Sequence, residues 1–106
     1  LPVAIELGEE AQNPSPVSST TSEAWKMVAA LASQKNTIPV APGLGRAATD
    51  SYQMTPVATD VYRFQPIQLS LAETSMIHGI NEHMTLDNLQ RMIDFYGSLI
   101  ATVGSR

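Results

Sequence analysis

The sequence predicts an α/β fold in which helices pack against a sheet. Two segments carry apolar residues at helical spacing, and three shorter segments are rich in the β-branched and aromatic residues that favour strands. The elements follow one another as strand, helix, strand, strand, helix, an order typical of α/β layers. At 106 residues, of which 43% are hydrophobic, the chain is long enough for one domain or for part of a larger one.

The first predicted element is a short strand, residues 3–7, which ends at Gly8. A single strand is unstable alone, so this one needs neighbours from elsewhere. Residues 12–19 are rich in proline and serine, which restrict or solvate the backbone instead of extending a sheet. We interpret them as a linker or a boundary.

A helix is predicted over residues 21–33. Thr20 and Glu23 have the spacing of a capping box, in which a hydroxyl and a carboxylate satisfy the free amides at a helix start. Trp25 lies beside the apolar face, and we interpret it as a packing residue. That face consists of Ala24, Met27, Val28 and Leu31.

Two further strands flank a turn that contains glycine. The first covers residues 37–42, where prolines remove backbone donors on one side. The turn over residues 43–51 has two glycines, but their spacing matches no phosphate-binding fingerprint. Residues 61–69 give the strongest strand prediction, because aromatic and β-branched residues alternate there and a proline indicates an edge or an ending.

The last element is a long helix, residues 86–103, which Thr85 precedes as N-cap. Asp87 lies in its first turn, where a negative charge complements the helix dipole, and Gly104 ends it. The apolar positions repeat at helical spacing, so we expect them to be buried. They are Leu89, Met92, Ile93, Tyr96, Leu99, Ile100 and Val103.

Composition excludes several classes of function. The formal net charge of −4 does not attract a nucleic-acid backbone or an anionic lipid surface. No apolar run approaches the roughly 18 residues of a membrane-spanning helix. We therefore expect neither nucleic acid nor membrane as a partner. The sequence has no cysteine, so any metal must be held by histidines and carboxylates.

Both histidines, His78 and His83, lie between the last strand and the last helix. Two zinc ligands on one helix face need i and i+4 spacing, but these are five positions apart with Gly79 between them, which excludes a helical zinc motif. His78 remains a candidate metal ligand if other ligands come from elsewhere in the fold. The alternative is a loop histidine bonded to the backbone.

Asp50 and Ser51 close the glycine-containing turn. Three roles are open for Asp50: it binds a substrate amine, it orders the loop, or it caps the next turn. Ser51 lacks the surrounding Gly-x-Ser-x-Gly pattern of a nucleophile elbow, so we do not interpret it as a catalytic serine.

Three segments together carry a family resemblance: AATDS at 47–51, VYRFQPIQL at 61–69 and MIHGINEHM at 76–84, which leads into the long terminal helix. Their order and spacing resemble the C-terminal part of zinc exopeptidases of metallopeptidase family twenty. The resemblance is to the branch of carboxypeptidase S, N-acyl-amino-acid hydrolases and aminoacylase-like enzymes. The segment SPVS at 15–18 also resembles the point where such a chain returns from its inserted lid domain.

The resemblance implies the C-terminal portion of a three-layer αβα catalytic domain over residues 13–106, preceded by the last strand of a lid, or dimerisation, domain over residues 1–12. It implies hydrolysis of the amide bond of dipeptides, C-terminal amino acids or N-acyl amino acids by a water that two zinc ions activate. His78 corresponds to the last metal ligand of the family. The other ligands and the catalytic residues belong to the preceding part of such enzymes, so this segment alone is expected to be inactive.

The resemblance also implies a substrate-binding role for Gly45, Thr49 and Asp50. In the family, an Arg-His pair follows the Thr-Asp-Ser turn, and its arginine is associated with gripping a substrate carboxylate. Here Tyr52 and Gln53 stand at those positions, and alanines replace the family's glycines before the threonine. Arg46 lies nearby in sequence and is a candidate replacement for the missing arginine.

The partners implied are a peptide or N-acyl amino acid substrate, the preceding part of the same enzyme, and a second copy bound through the lid domain. Charged residues make up only 15% of the chain, against roughly 25% in a typical soluble domain. Coverage of the apolar helix faces by the preceding part would explain that low value. The alternative is a non-catalytic α/β interaction or dimerisation module derived from the same fold.

Overall fold

The computed structural model describes residues 2–4, 6, 8, 13–34, 39–45 and 49–105. Within them lie two α-helices, α1 (Glu23–Gln34) and α2 (Leu86–Gly104). Two short 3₁₀ helices lie between α1 and α2, at Asp50–Met54 and Glu73–Met76. In this described part of the chain no strand forms, and no helix is long and apolar enough to cross a membrane.

Helix α1 begins two residues later than predicted, and its cap is a different residue. The Ser22 hydroxyl accepts a hydrogen bond from the Trp25 backbone N–H at 3.2 Å, which is the contact of an N-cap with the third helical residue. Ser22 also lies 2.6 Å from the Tyr62 hydroxyl. The predicted cap at Thr20 is wrong, because this contact with a distant residue fixes Ser22 at the helix entrance.

The prediction for α2 is confirmed at its start. The Thr85 hydroxyl accepts a hydrogen bond from the Asn88 backbone N–H at 3.2 Å, and Thr85 itself has extended backbone angles, as an N-cap requires. Asp87 lies in the first turn. The helix ends with Gly104, one residue beyond the predicted range. Local signals suffice here because the cap and the helical spacing both lie within the segment.

Residues 61–69 do not form the predicted strand. From Tyr62 to Pro66 the side chains still alternate, with Tyr62 and Phe64 half-buried, Pro66 buried, and Arg63 and Gln65 exposed. A strand needs a neighbouring backbone to complete its ladder of hydrogen bonds. Among the described residues, none offers such an edge, so the period-two pattern survives without a sheet.

Two side chains satisfy backbone groups of this segment in place of a neighbouring strand. The Ser18 hydroxyl accepts from the Val61 N–H at 2.8 Å and donates to the Val61 carbonyl at 3.0 Å. The Asn88 side-chain amide does the same for Gln68: its Oδ1 accepts from the Gln68 N–H at 2.9 Å and its Nδ2 donates to the Gln68 carbonyl at 3.0 Å. The segment is therefore fixed to α2 at one end and to the entrance of α1 at the other.

The other two predicted strands fall partly outside the described residues. Thr37 and Ile38 lie outside them, and residues 39–42 form no strand. Ile5 and Leu7 also lie outside them, and the described residues between 2 and 8 form no strand. The structure thus bears out the helical part of the predicted α/β fold, and no strand of it forms in the described residues.

The buried core is small. Among the described hydrophobic residues, only Ala32 on α1 and Phe95 on α2 are buried. The Phe95 ring contacts Phe64, with ring centroids 5.0 Å apart, and meets Tyr96 edge-on at 5.3 Å. The two helices pack against each other. Trp25 lies 5.9 Å from the Tyr62 ring, in agreement with its interpretation as a packing residue.

The predicted burial of the α2 apolar face is wrong for most of its residues. Only Met92 and Leu99 are half-buried. The exposed members range from 37% exposure at Tyr96 to 70% at Ile100, because the described residues do not cover this face. The chain has a radius of gyration of 17.4 Å, whereas a compact domain of this length would have about 13 Å. The described residues therefore do not close a core of their own.

We expect Asn88→Ala to destabilise the contact between α2 and residues 61–69 by about 2–3 kcal/mol, because Asn88 is 5% exposed and two backbone groups would lose their partner. Hydrogen–deuterium exchange of the whole protein should show faster exchange at the Gln68 amide. Gln90→Ala is the matched control, since the exposed Gln90 side chain donates to Asp94 within α2 and, among the described residues, forms no hydrogen bond with residues 61–69. Unchanged protection of Gln68 in Asn88→Ala would contradict this role.

Candidate functional site

The connection that carries both histidines begins with a reciprocal pair of hydrogen bonds. The Ser70 N–H donates to Glu73 Oε2 at 2.7 Å, and the Glu73 N–H donates to the Ser70 hydroxyl at 3.3 Å. These are the bonds of a capping box, which the Ser-x-x-Glu spacing could have predicted. Hydrogen bonds from the Ser70 side chain and backbone, with His83 nearby, lower the pKa of Glu73.

Unusual backbone angles shape the loop around His78. His78 and Asn81 have positive φ values of 60° and 64°, which lie in the left-handed region that residues other than glycine seldom occupy. Gly79 donates its N–H to the Met76 carbonyl at 2.8 Å. A Cβ at Gly79 would lie 3.2 Å from that same carbonyl oxygen, so a larger residue would move the loop that positions His78.

The two histidines differ in how they are held. His83 Nδ1 lies 2.6 Å from the Asn81 carbonyl oxygen, so its ring is fixed by the loop backbone. His78 is held through its backbone, whose N–H donates to Glu82 Oε2 at 3.2 Å. The exposed His78 imidazole has no hydrogen-bond partner among the described residues. Its ring nitrogens are thus open to a ligand, whereas one nitrogen of His83 is occupied.

A cavity of about 320 Å³ lies beside this loop. Four of its lining residues, Glu73, His78, Glu82 and His83, are of types that bind metals. Yet the described part of the chain contains no group of three or more such side chains arranged to hold a metal ion. The described residues by themselves therefore do not form a complete zinc site.

Two of the other predicted site residues, Gly45 and Thr49, lie near Arg63, which the sequence analysis did not single out. Thr49 caps the 3₁₀ helix Asp50–Met54, and its hydroxyl accepts from the Ser51 N–H at 3.3 Å. The Ser51 hydroxyl contacts that of Thr49 and accepts a hydrogen bond from Arg63 Nε. A Cβ at Gly45 would lie 3.3 Å from Arg63 Nη1, so the absence of a side chain at Gly45 makes room for the guanidinium.

Asp50 is exposed and forms the first residue of that 3₁₀ helix, while the capping role belongs to Thr49. Arg46, the candidate replacement for the family arginine, lies outside the described residues. One feature of the sequence could have drawn attention to Arg63 as a site residue: it is the single charged residue within the apolar and aromatic segment 61–69.

A second, larger groove of about 950 Å³ begins at Arg63. Its walls are mostly apolar and include Trp25, Val40, Leu44 and Phe64. It shares no described lining residue with the cavity at His78. The structure therefore joins Gly45 to Arg63, and Thr49 to Arg63 through Ser51, but it does not bring His78 into the same cavity.

Comparison with known proteins finds relatives that this chain matches over part of the relatives' length. The chain is 34% identical over 88 residues to a protein named probable carboxypeptidase S-like 2 from Dictyostelium discoideum, a match that covers 82% of this chain and 17% of that protein. It is 31% identical over 90 residues to probable carboxypeptidase S-like 1 from the same organism, covering 82% and 19%. It is 36% identical over 62 residues to an N-fatty-acyl-amino acid synthase/hydrolase from Xenopus tropicalis, covering 58% and 12%.

The chain thus spans less than a fifth of the length of the relatives it matches. No model of a protein family matches it, and no solved structure matches it significantly. A match over 82% of 106 residues is about 87 residues long, so it must include residues 20–87 wherever it begins. Thr49, Arg63 and His78 therefore lie within the matched stretch.

Proposed function

We propose that this chain is part of an amide hydrolase of metallopeptidase family twenty. Its homologues are carboxypeptidase S-like proteins and N-fatty-acyl-amino acid synthase/hydrolases of that family, each of which it matches over a segment. The whole protein would hydrolyse the amide bond of N-acyl amino acids, dipeptides or C-terminal amino acids. The observation that carries this proposal is the match with two carboxypeptidase S-like proteins over more than four fifths of the chain.

His78 is the residue through which this segment would take part in the reaction. Its exposed imidazole, which has no hydrogen-bond partner among the described residues, and its backbone, which is bound to Glu82, suit one ligand of a zinc ion. The remaining ligands of the two zinc ions would come from the rest of the protein. When bound, the metal would supply an activated water for attack on the amide carbonyl. The described residues hold no further group that we assign to catalysis.

The second contribution of this segment would be to hold the substrate, a peptide or an N-acyl amino acid. We assign Gly45, Thr49 and Asp50 to the wall of the substrate site, with Arg46 as a further candidate. Thr49 and Asp50 belong to the turn that Ser51 links to Arg63, and this link supports a shared role. The segment orients a substrate in this proposal, and the rest of the protein supplies the reacting groups.

The exposed face of α2 supports a third element of the proposal, which is contact with the preceding part of the same protein. Five apolar residues of the predicted face are exposed, and burying such a surface is favourable by about 25 cal/mol per Å². Residues 1–12 would belong to the lid domain, through which a second copy could bind. Both contacts would complete the unfinished core.

The same exposed face favours a second candidate function, a non-catalytic interaction or dimerisation module. Its residues Leu89, Ile93 and Ile100 form a continuous apolar row on α2, as is typical of a helix that binds a partner. This candidate requires no metal. A purified whole protein without stoichiometric zinc that forms a stable dimer would support it against the hydrolase.

The hydrolase proposal is tested with the whole protein that contains this segment. We expect hydrolysis of an N-acyl amino acid or a dipeptide that stops after treatment with a chelator and returns when zinc is added. Chelator treatment of a metal-independent amidase provides the control for effects on the assay. Equal rates with and without chelator, or no hydrolysis of either substrate, would contradict the proposal.

A further inference from the structure

We propose that Glu82 is a positioning residue for His78: its carboxylate holds the His78 backbone in one conformation, and this hold strengthens metal binding by the His78 imidazole. The inference rests on the proposed function, because it takes His78 as a zinc ligand. It is carried by the hydrogen bonds, the backbone angles and the exposure of the loop over residues 76–83.

A hydrogen bond closes residues 78–82 into a ring. The His78 N–H donates to Glu82 Oε2 at 3.2 Å, and among the described residues this is the one hydrogen bond that His78 makes. Because the acceptor is a carboxylate, the bond is stronger than one between two neutral groups. Glu82 therefore acts on the backbone of His78 and does not engage its imidazole.

The backbone within this ring has a conformation that a histidine seldom adopts on its own. His78 and Asn81 have φ values of 60° and 64°, in the left-handed region. Residues other than glycine persist in this region only where their surroundings hold them there. The ring therefore requires a restraint, and the bond from the His78 N–H to Glu82 spans both left-handed positions.

Packing of apolar side chains does not supply that restraint in the described part of the chain. Ile80 is the one apolar side chain within residues 78–82, and it is 91% exposed. The other residues of the ring are exposed as well. The conformation of the ring thus depends on its hydrogen bonds more than on burial.

Two further hydrogen bonds fix the neighbouring backbone but do not involve His78. The Gly79 N–H donates to the Met76 carbonyl at 2.8 Å. At the other end of the loop, His83 Nδ1 lies 2.6 Å from the Asn81 carbonyl oxygen. These bonds anchor the two ends of the loop, and the bond to Glu82 is the one that reaches the proposed ligand.

A second carboxylate beside the same cavity, that of Glu73, has a different partner. Glu73 Oε2 accepts from the Ser70 N–H at 2.7 Å. Glu73 is therefore bonded at the start of the connection, whereas Glu82 is bonded to the residue that would meet the metal. The two side chains carry the same charge, so they form a matched pair for experiments.

Restraining the backbone of a ligand favours metal binding, because the ligand is already ordered when the metal arrives. Residues that orient a ligand typically contribute about 10- to 100-fold to metal affinity. We therefore expect Glu82→Ala to weaken zinc binding by about that factor. Glu82→Gln should retain most of the affinity, because its amide oxygen can still accept the His78 N–H.

The first test needs neither zinc nor activity. Hydrogen–deuterium exchange is measured on the whole protein after chelator treatment. The His78 amide should exchange about 10-fold faster in Glu82→Ala, since it loses a bond to a charged acceptor. Glu82→Gln should exchange nearly as slowly as the wild type. Glu73→Gln is the matched control, because it removes an equal charge from the same cavity and leaves the bond to His78 in place.

The second test measures the zinc affinity of the same proteins by competition with a chromophoric chelator. Glu82→Ala should show the loss given above, and both glutamine variants should bind zinc nearly as tightly as the wild type. A direct ligand role for Glu82 gives a different pattern. Glu82→Gln would then lose zinc as fully as Glu82→Ala, because a neutral amide is a poor zinc ligand.

Unchanged exchange at His78 in Glu82→Ala would overturn the inference. So would faster exchange without a loss of zinc affinity, or a Glu82→Gln protein that loses zinc as fully as Glu82→Ala. A wild type that binds no zinc would instead contradict the proposed function. Faster exchange in zinc-free Glu82→Ala would then still support the hold of Glu82 on the His78 backbone.

Discussion

Replacing His78 with alanine in the whole protein is expected to lower kcat/KM for amide hydrolysis more than about 100-fold and to lower the zinc content. Loss of a metal ligand should exceed the 10- to 100-fold cost that is usual for residues that only support a ligand. His78 is suited to this role because its ring has no partner among the described residues, while its backbone is anchored to Glu82. Steady-state kinetics and mass-spectrometric metal analysis of the same preparations measure both effects.

His83→Ala is the matched control for this experiment. His83 lies in the same loop, but its Nδ1 contacts the Asn81 carbonyl, so we expect a smaller loss of activity and retention of zinc. A His78→Ala protein with wild-type activity and full zinc content would exclude His78 as a ligand. If His83→Ala lost the metal and His78→Ala did not, the assignments of the two histidines would have to be exchanged.

Phe95→Ala is expected to destabilise the contact between α2 and residues 61–69 by about 3–5 kcal/mol, the usual cost of truncating a buried phenylalanine. Phe95 is only 2% exposed and its ring packs on Phe64. The Tyr96 hydroxyl, next to it on α2, donates to the Phe64 carbonyl at 2.7 Å, so a shift of the helix would also disturb this bond. Hydrogen–deuterium exchange of residues 61–69 in the whole protein measures the loss.

Two further variants calibrate that result. Phe95→Leu keeps most of the apolar volume and should cost less than about 1.5 kcal/mol. Ile100→Ala, on the exposed face of the same helix, should cost under about 0.5 kcal/mol if that face stays exposed and about 2–5 kcal/mol if the rest of the protein covers it. Unchanged exchange of residues 61–69 in Phe95→Ala would show that the Phe64 contact does not hold the segment.

Helix α2 shows what local sequence information can achieve. Thr85, Asp87 and the apolar spacing predicted its start and its extent, since each of these signals acts within a few residues. The same kind of signal misled at Thr20, because the Tyr62 hydroxyl lies in contact with Ser22 and fixes the helix start there. The Ser70–Glu73 box did form, and among the described residues no long-range hydrogen bond to Ser70 or Glu73 competes with it.

In the candidate site, too, the sequence predicted some features and missed others. The position of His78 in a loop, and its spacing from His83, could be read from the sequence. The surroundings of Arg63 could not, because Ser15, Ser51 and Gly45 approach its side chain only through folding. Sequence alone favoured Arg46 because it is close to Tyr52 along the chain, and distance along the chain says little about distance in space.

The sequence by itself, through its low content of charged residues and the apolar face of α2, indicated that the chain has apolar surface which another part of the protein covers. The position of α2 and the alternation of side chains over residues 62–66 were likewise determined locally, because residue spacing is a property of the segment. Only the tertiary structure decided whether a strand forms and whether a face is buried. Both depend on a neighbouring element of the fold. In the described residues, single side chains bond the backbone groups that a neighbouring strand would bond: Ser18 bonds those of Val61, and Asn88 bonds those of Gln68.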